Sequence, residues 1–310
     1  MPALELKPGR PVTLRVQQGA QARDFPITAQ DSGSRTLDLT WSKGAPAAVT
    51  SDQEYHLVWA DEFNKDGRPS PANWKFETGF VRNNELQWYQ PQNAICQNGN
   101  LIIEARREHK ANPNFKKQGK GWQTNREFIE YTSSCLITRG LHSWKFGRFE
   151  VRAKIRTQDG LWPAIWFLGI DGGWPNGGEI DLMEYYQGLI LANACWGSEK
   201  RGQATWDSSK KPVSSFGDAK WDEKFHVWRM DWDSESIQLY LDDMLLNSID
   251  LTKTLNPAGA GPENPFLQPQ YLLLNLAIGG TCGGNPSETP FPSRFEIDYV
   301  RVYQKDPGGK

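Results

Sequence analysis

The chain has 310 residues, 38% of them hydrophobic, and a formal charge of −2. Near-balanced charge leaves no electrostatic footprint for nucleic acid or an anionic membrane surface. Twenty-nine Gly and 20 Pro argue for many turns and few long helices. No apolar run reaches membrane length; the longest, Tyr271 to Ile278, is broken by Asn275.

Residues 1–52 read differently from 53–310. Short β-like runs (Val12–Gln17, Phe25–Gln30, Thr36–Trp41) alternate with polar turns, and Gly44–Val49 has the composition of a linker. The piece is too small to bury much core alone. It is expected to be an extension of the main domain or the remnant of a small β module. Met1-Pro2-Ala3-Leu4-Glu5 has no signal-peptide apolar stretch.

From His56 onward strand follows strand. Phe149, Val151, Ala153 and Ile155 alternate with Glu150, Arg152, Lys154 and Arg156, which predicts a strand with one apolar face. Next comes Glu179-Ile180-Asp181-Leu182-Met183-Glu184, three carboxylates in six residues of an otherwise apolar run. Crowded carboxylates raise at least one pKa. Two carboxyl groups of split pKa are what glycoside hydrolysis needs. In a regular strand Glu179 and Asp181 share a face and Glu184 does not. One extra residue, a β-bulge at Leu182 or Met183, brings Glu184 into phase.

Ile237–Leu241, Asp242-Asp243 and Met244–Leu246 predict a hairpin. Tyr271–Leu276 predicts a fully buried strand, and Phe295–Tyr303 a long final one. Many strands with turns between them imply an all-β sandwich or barrel. The carboxylate spacing alone is not diagnostic, because Asp231, Asp233 and Glu235 also alternate, in a run that reads as a solvated turn. Cys96, Cys135, Cys195 and Cys282 form no CxxC pair and read as buried thiols, although four Cys leave three disulfide pairings open. His56, His109, His142 and His226 are scattered, so no transition-metal site is expected.

Several motifs stand together around the carboxylate run. Gly160-Leu161-Trp162-Pro163-Ala164-Ile165-Trp166 precedes it, and Trp174-Pro175-Asn176-Gly177-Gly178 leads into it. Trp59-Ala60-Asp61-Glu62-Phe63, Arg82-Asn83-Asn84-Glu85-Leu86-Gln87-Trp88-Tyr89, Phe146–Lys154 and Asp298–Tyr303 accompany them. In these motifs the sequence, over about 56–304, resembles glycoside hydrolase family 16. Within that family it resembles the laminarinase-like β-glucanases with the bulged E-x-D-x-x-E motif.

The resemblance implies a concanavalin A-like β-jelly roll of two curved antiparallel sheets, with a concave cleft for a linear polysaccharide. It implies Glu179 as nucleophile, Glu184 as general acid/base and Asp181 as the residue tuning both, in a double displacement that retains configuration. It implies substrate contacts from Asn83, Glu150, Arg152, Trp162, Trp174 and Asn275, with Trp196 in the cleft wall. Trp166 is expected in the core, in phase with apolar neighbours. Glu62, Gly99 and Asp298 fall where relatives often bind a structural calcium ion; catalysis itself needs no cofactor. The family's usual His-Gly-x-x-His is replaced by Ala192-Asn193-Ala194-Cys195-Trp196, and the loop Thr281-Cys282-Gly283-Gly284 lacks the usual Trp.

The expected activity is endo-hydrolysis of β-1,3- or mixed β-1,3-1,4-glucan. An algal galactan such as agar, carrageenan or porphyran is the alternative substrate, and a non-catalytic sugar-binding module the alternative class. A neutral glucan is favoured because few cations occur among the cleft candidates. A monomer is expected. Polymers do not enter cells, so a secreted or periplasmic location is expected, with the signal outside this sequence.

Overall fold

The computed structural model describes residues 11–18, 21–28, 55–200 and 202–305. Contacts divide the chain into Met1–Thr50 and Ser51–Lys310. In the first unit, β1 (Pro11–Gln18) and β2 (Gln21–Thr28) pair antiparallel, from Pro11↔Thr28 to Gln18↔Gln21. The predicted run Thr36–Trp41 and the Gly44–Val49 linker lie outside the described residues.

The second unit contains strands and short 3-10 turns, with no α-helix among the described residues. Its strands are β3 (Tyr55–Asp61), β4 (Lys75–Phe76), β5 (Gln87–Tyr89), β6 (Ala94–Gln97), β7 (Asn100–Ala111), β8 (Phe128–Ser133), β9 (Cys135–Ile137), β10 (Gly147–Lys154) and β11 (Leu161–Gly169). They continue with β12 (Glu179–Tyr186), β13 (Leu189–Gly197), β14 (Ala204–Pro212), β15 (His226–Trp232), β16 (Ser236–Leu241), β17 (Met244–Asp250), β18 (Gln270–Ile278) and β19 (Ser293–Lys305). One sheet runs β17-β16-β15-β10-β19-β7-β8-β5, with β3 beside β19 and β6 beside β7. The other runs β14-β13-β12-β11-β18-β9-β4. This is the antiparallel two-sheet jelly roll, with one short parallel pair, β5 with β8, as a departure.

The alternation read in β10 holds: Phe149, Val151 and Ala153 are buried between the sheets. Phe149 meets Phe167 of β11 edge-on, ring centroids 5.2 Å apart, so the two sheets share one core. The β16–β17 hairpin turns at Asp242 and Asp243, φ 47° and 67°, the left-handed pair that a two-residue type I′ turn requires.

All nine residues of β18 are buried because both faces are covered. Leu272, Leu274, Leu276 and Ile278 enter the main core. Tyr271 and Leu273 join Tyr89, Cys135, Ala164 and Trp166 in a second apolar cluster on the other face of the sheet. That cluster underlies the cleft.

Phe149 is 1% exposed and touches rings from both sheets. Phe149→Ala is expected to cost about 3–5 kcal/mol, the usual loss for emptying such a site, read as a lower midpoint in urea unfolding.

Candidate active site

β12 departs from a regular strand at the place the sequence requires. Its pairing with β13 runs Glu179↔Cys195, Ile180↔Ala194, Asp181↔Asn193, then jumps to Glu184↔Leu191. Against β11, Trp166 faces Asp181 and Ile165 faces Met183, leaving Leu182 over. Leu182 and Met183 both lie in the core. Apolar burial on one side thereby drives Glu179, Asp181 and Glu184 to the other.

Glu179 and Glu184 line a cleft of about 590 Å³, with Asp181 buried between them. Each outer carboxylate has its own indole donor. Trp174 Nε1 donates to Glu179 Oε2 at 2.6 Å, and Trp162 Nε1 donates to Glu184 Oε1 at 2.8 Å. Asn193 Nδ2 donates to Asp181 Oδ2 at 3.3 Å and to Glu184 Oε2 at 3.2 Å. The Cys195 thiol lies 4.0 Å from Glu179 Oε2, and burial pushes its pKa up so that it stays protonated.

The three carboxyl groups have different electrostatic surroundings. Burial, then the charges of Glu184 and Glu179, hold Asp181 well above the usual carboxylate range. Burial, then the charge of Glu179, push Glu184 up to about 7. Burial also raises Glu179, and hydrogen bonds from Asp181 and Trp174 and the Arg82 guanidinium offset that rise only in part. The cluster therefore favours a protonated Asp181 between an ionisable Glu179 and a Glu184 that keeps its proton to near neutrality. An ionised carboxylate beside a protonated one is the equipment for acid-assisted displacement at an anomeric carbon.

Asn83, Trp162, Trp174 and Asn275 line this cleft. Asn275 Oδ1 accepts from Trp166 Nε1 at 2.7 Å. Trp166 itself is a correction: it is buried, but in the cleft-floor cluster, with Arg82 over its ring at 5.0 Å. It shares the phase of Trp162 and Ala164, whereas Ile165 and Phe167 point into the core.

Glu150 and Arg152 are a second correction. They lie on β10, in the sheet that does not carry β12, on the face turned from the core. Arg152 Nη1 pairs with Asp298 Oδ2 at 2.6 Å and its guanidinium sits over the Phe225 ring. Glu150 stands opposite Arg229 and Arg301. Trp196 is the third. It shares the phase of buried Ala192 and Ala194 and packs edge-on to Phe266 in the main core.

The calcium trio is not assembled as a hard-oxygen cage. Glu62 takes Arg301 in a two-point ion pair at 2.8 and 2.9 Å, and Asp298 takes Arg152. Gly99 sits with Asn98 in the turn between β6 and β7. Among the described residues no group of three or more His, Cys, Asp and Glu is placed to hold a metal ion. Carboxylates committed to guanidiniums do not fit the oxygen-rich shell calcium takes.

The four cysteines are free, but Cys282 is half-buried at the cleft rim rather than fully buried. The sequence reading also missed Arg82, Asn193 and Trp206, all of which line the cleft. Strand phase signals Asn193: it faces Asp181 across the ladder, on the face opposite Ala192 and Ala194.

Residues 83–301 match the profile of Glycosyl hydrolases family 16. The chain belongs to this family. A family 16 relative, the beta-glucanase of Rhodothermus marinus, is 36% identical over 275 residues, 82% of this chain and 87% of that protein. Among solved structures, the endo-1,3-beta-glucanase (laminarinase) catalytic domain of Thermotoga petrophila RKU-1 aligns with a TM-score of 0.68 at 33% identity, covering 82% of this chain and 99% of that one. Another, from work on endo-acting O-glycanases with which prominent members of the human gut microbiota initiate mucin breakdown, aligns with a TM-score of 0.73 at 38% identity. It covers 82% of this chain and 92% of that one.

The raised Glu184 pKa carries a stability consequence. A group raised in the folded state contributes its full share below the ordinary carboxyl range and loses it as pH rises through about 7. Gln at 184 has no proton to lose. The melting temperature of Glu184→Gln relative to wild type is therefore expected to increase from about pH 5 to about pH 8, as read by thermal scans at matched ionic strength.

Proposed function

We propose that this family 16 chain is an endo-acting, retaining hydrolase of β-1,3- or mixed-linkage β-1,3-1,4-glucan. The observation that carries the reading is the bulged β12, which presents Glu179 and Glu184 to one cleft in unlike surroundings. The named beta-glucanase and laminarinase relatives support the substrate class.

Glu184 donates its proton to the glycosidic oxygen as the bond from that oxygen to the anomeric carbon breaks. A Glu179 carboxylate oxygen bonds to the same carbon on the opposite side. Glu184, now ionised, takes a proton from water. The water oxygen bonds to the anomeric carbon, the Glu179 ester bond breaks, and configuration is retained. Protonated Asp181 donates to Glu179 while that carboxylate is ionised, before the attack and again after the ester breaks. Such polymers are met outside the cytoplasm, so the protein acts as a secreted or periplasmic monomer.

The cleft walls fit a neutral chain with modifications. Asn83 and Asn275 offer amides, and Trp162 and Trp174 offer ring faces. The cleft is less free of cations than the sequence suggested, since Arg82 and Lys210 line it. With Trp196 half-buried against the core, the wall that shapes the chain is Thr281, Cys282 and the β14 edge instead. The likeness to the O-glycanase structure, 38% identical, supports a second reading, endo-cleavage within mucin O-glycan chains.

Reducing-end release from laminarin, barley β-glucan, carboxymethylcellulose, agarose and purified mucin O-glycans separates these readings. Release from laminarin and barley β-glucan, and none from carboxymethylcellulose, is expected. Dominant release from mucin glycans moves the enzyme to the second reading, and dominant release from agarose to a galactan.

Glu179→Gln is expected to keep the fold and lose at least about 100-fold in kcat, because an amide cannot form the ester. Glu184→Gln should lose a similar factor on polymer and much less on an aryl glycoside whose leaving group needs no proton. Steady-state kinetics on both substrates check the assignment. Near-wild-type turnover by Glu179→Gln would remove it from the nucleophile's place.

A further inference from the structure

β14 is the edge strand of the cleft-bearing sheet, and its sequence, Ala-Thr-Trp-Asp-Ser-Ser-Lys-Lys-Pro, is polar apart from one large ring. Trp206, Ser208 and Lys210 point to the cleft, while Asp207 turns to the other face and accepts from Asn247 Nδ2 at 3.1 Å. Trp206 is 46% exposed. Edge strands are ordinarily protected by charge, as Lys210 and Lys211 do here, and a bare indole on such an edge invites association. Packing gives no reason for it, because Trp206 belongs to no buried apolar cluster.

The ladder fixes where this ring stands. Glu179 faces Cys195 across β12–β13, and Cys195 faces Trp206 across β13–β14. Two strand spacings, about 10 Å, separate Trp206 from the Glu179 row. That is too far to touch the sugar being attacked and suits a sugar farther along the chain. Trp174, 55% exposed and hydrogen-bonded to Glu179, already walls the inner position. Ser208 and Lys210, in the Asp181 and Glu184 rows, supply donors beside the ring.

We propose that Trp206 is the stacking platform of an outer sugar subsite, so that the bound glycan crosses β12, β13 and β14 and longer chains are held by this ring. The ligand class is a pyranose with one apolar face, and the inference rests on the reading of the cleft as a β-glycan site. Flat aromatic surface of this kind is where binding energy concentrates when a partner covers it.

The test is a chain-length series, from the shortest oligosaccharide that wild type cleaves to the heptasaccharide, in the polymer class found to be cut. Wild-type kcat/KM should rise with length. Trp206→Ala should match wild type on the shortest substrate and fall about tenfold behind on the longest, roughly what losing one aromatic anchor costs. Trp206→Phe should recover most of the difference, and both variants should melt with wild type. A Trp206→Ala enzyme whose kcat/KM climbs with length as wild type does overturns the inference alone, as does an equal loss at every length. A wild-type enzyme that cuts no β-glycan overturns the substrate reading and the inference with it.

Discussion

Glu184 reaches the cleft because two consecutive apolar residues, Leu182 and Met183, both turn into the core. A regular strand would alternate them, and Glu184 would be driven into the apolar interior with no partner, at a cost of several kcal/mol. The ladder gives up regular pairing at one step, and the sheet gains three carboxyl groups on one face. Those groups cannot all ionise side by side. The Trp162 and Trp174 indoles, the Asn193 amide and the Arg82 guanidinium act on how the remaining protons are distributed.

The fold was legible where one strand decides its own pattern. The alternation of Phe149, Val151 and Ala153, the Asp242-Asp243 turn and the need for a bulge are local, and the structure carries each of them. What alternation does not reveal is which outer face the polar residues look out on. A two-sheet sandwich has two such faces, and only one bears the cleft. Glu150 and Arg152 were correctly read as polar-face residues and sit on the other sheet. Trp166 and Trp196 failed for the same reason in reverse. Each lies on a strand with both faces covered, where apolarity marks the cleft floor as readily as the core.

Glu62 and Asp298 show a different limit. Their partners, Arg301 and Arg152, come from strands far away in sequence, and no local pattern announces a long-range ion pair. Asn193 is the opposite case. Its phase was readable, but its importance came only from facing Asp181 across the ladder.

The indoles of this cleft do two jobs that reinforce each other. Trp162, Trp166 and Trp174 present ring surface to the substrate side, while each N–H is spent on a fixed acceptor: Glu184, Asn275 and Glu179 respectively. Rings anchored in this way hold the carboxylates and the sugar-facing walls in one geometry, so little reorganisation is left for the moment of reaction. The charges then break the symmetry of the pair. Arg82, stacked on Trp166 and paired with Glu77, lends positive potential to Glu179. Glu184 has hydrogen bonds with Trp162, Asp181 and Asn193, none of them a cation, and feels the negative charge of Glu179. The same strand thus supplies two buried carboxyl groups, both raised, of which only Glu179 has a cation and a donating Asp181 and Trp174 working against the rise. That asymmetry, more than the presence of two glutamates, is what the proposed division of labour between Glu179 and Glu184 rests on.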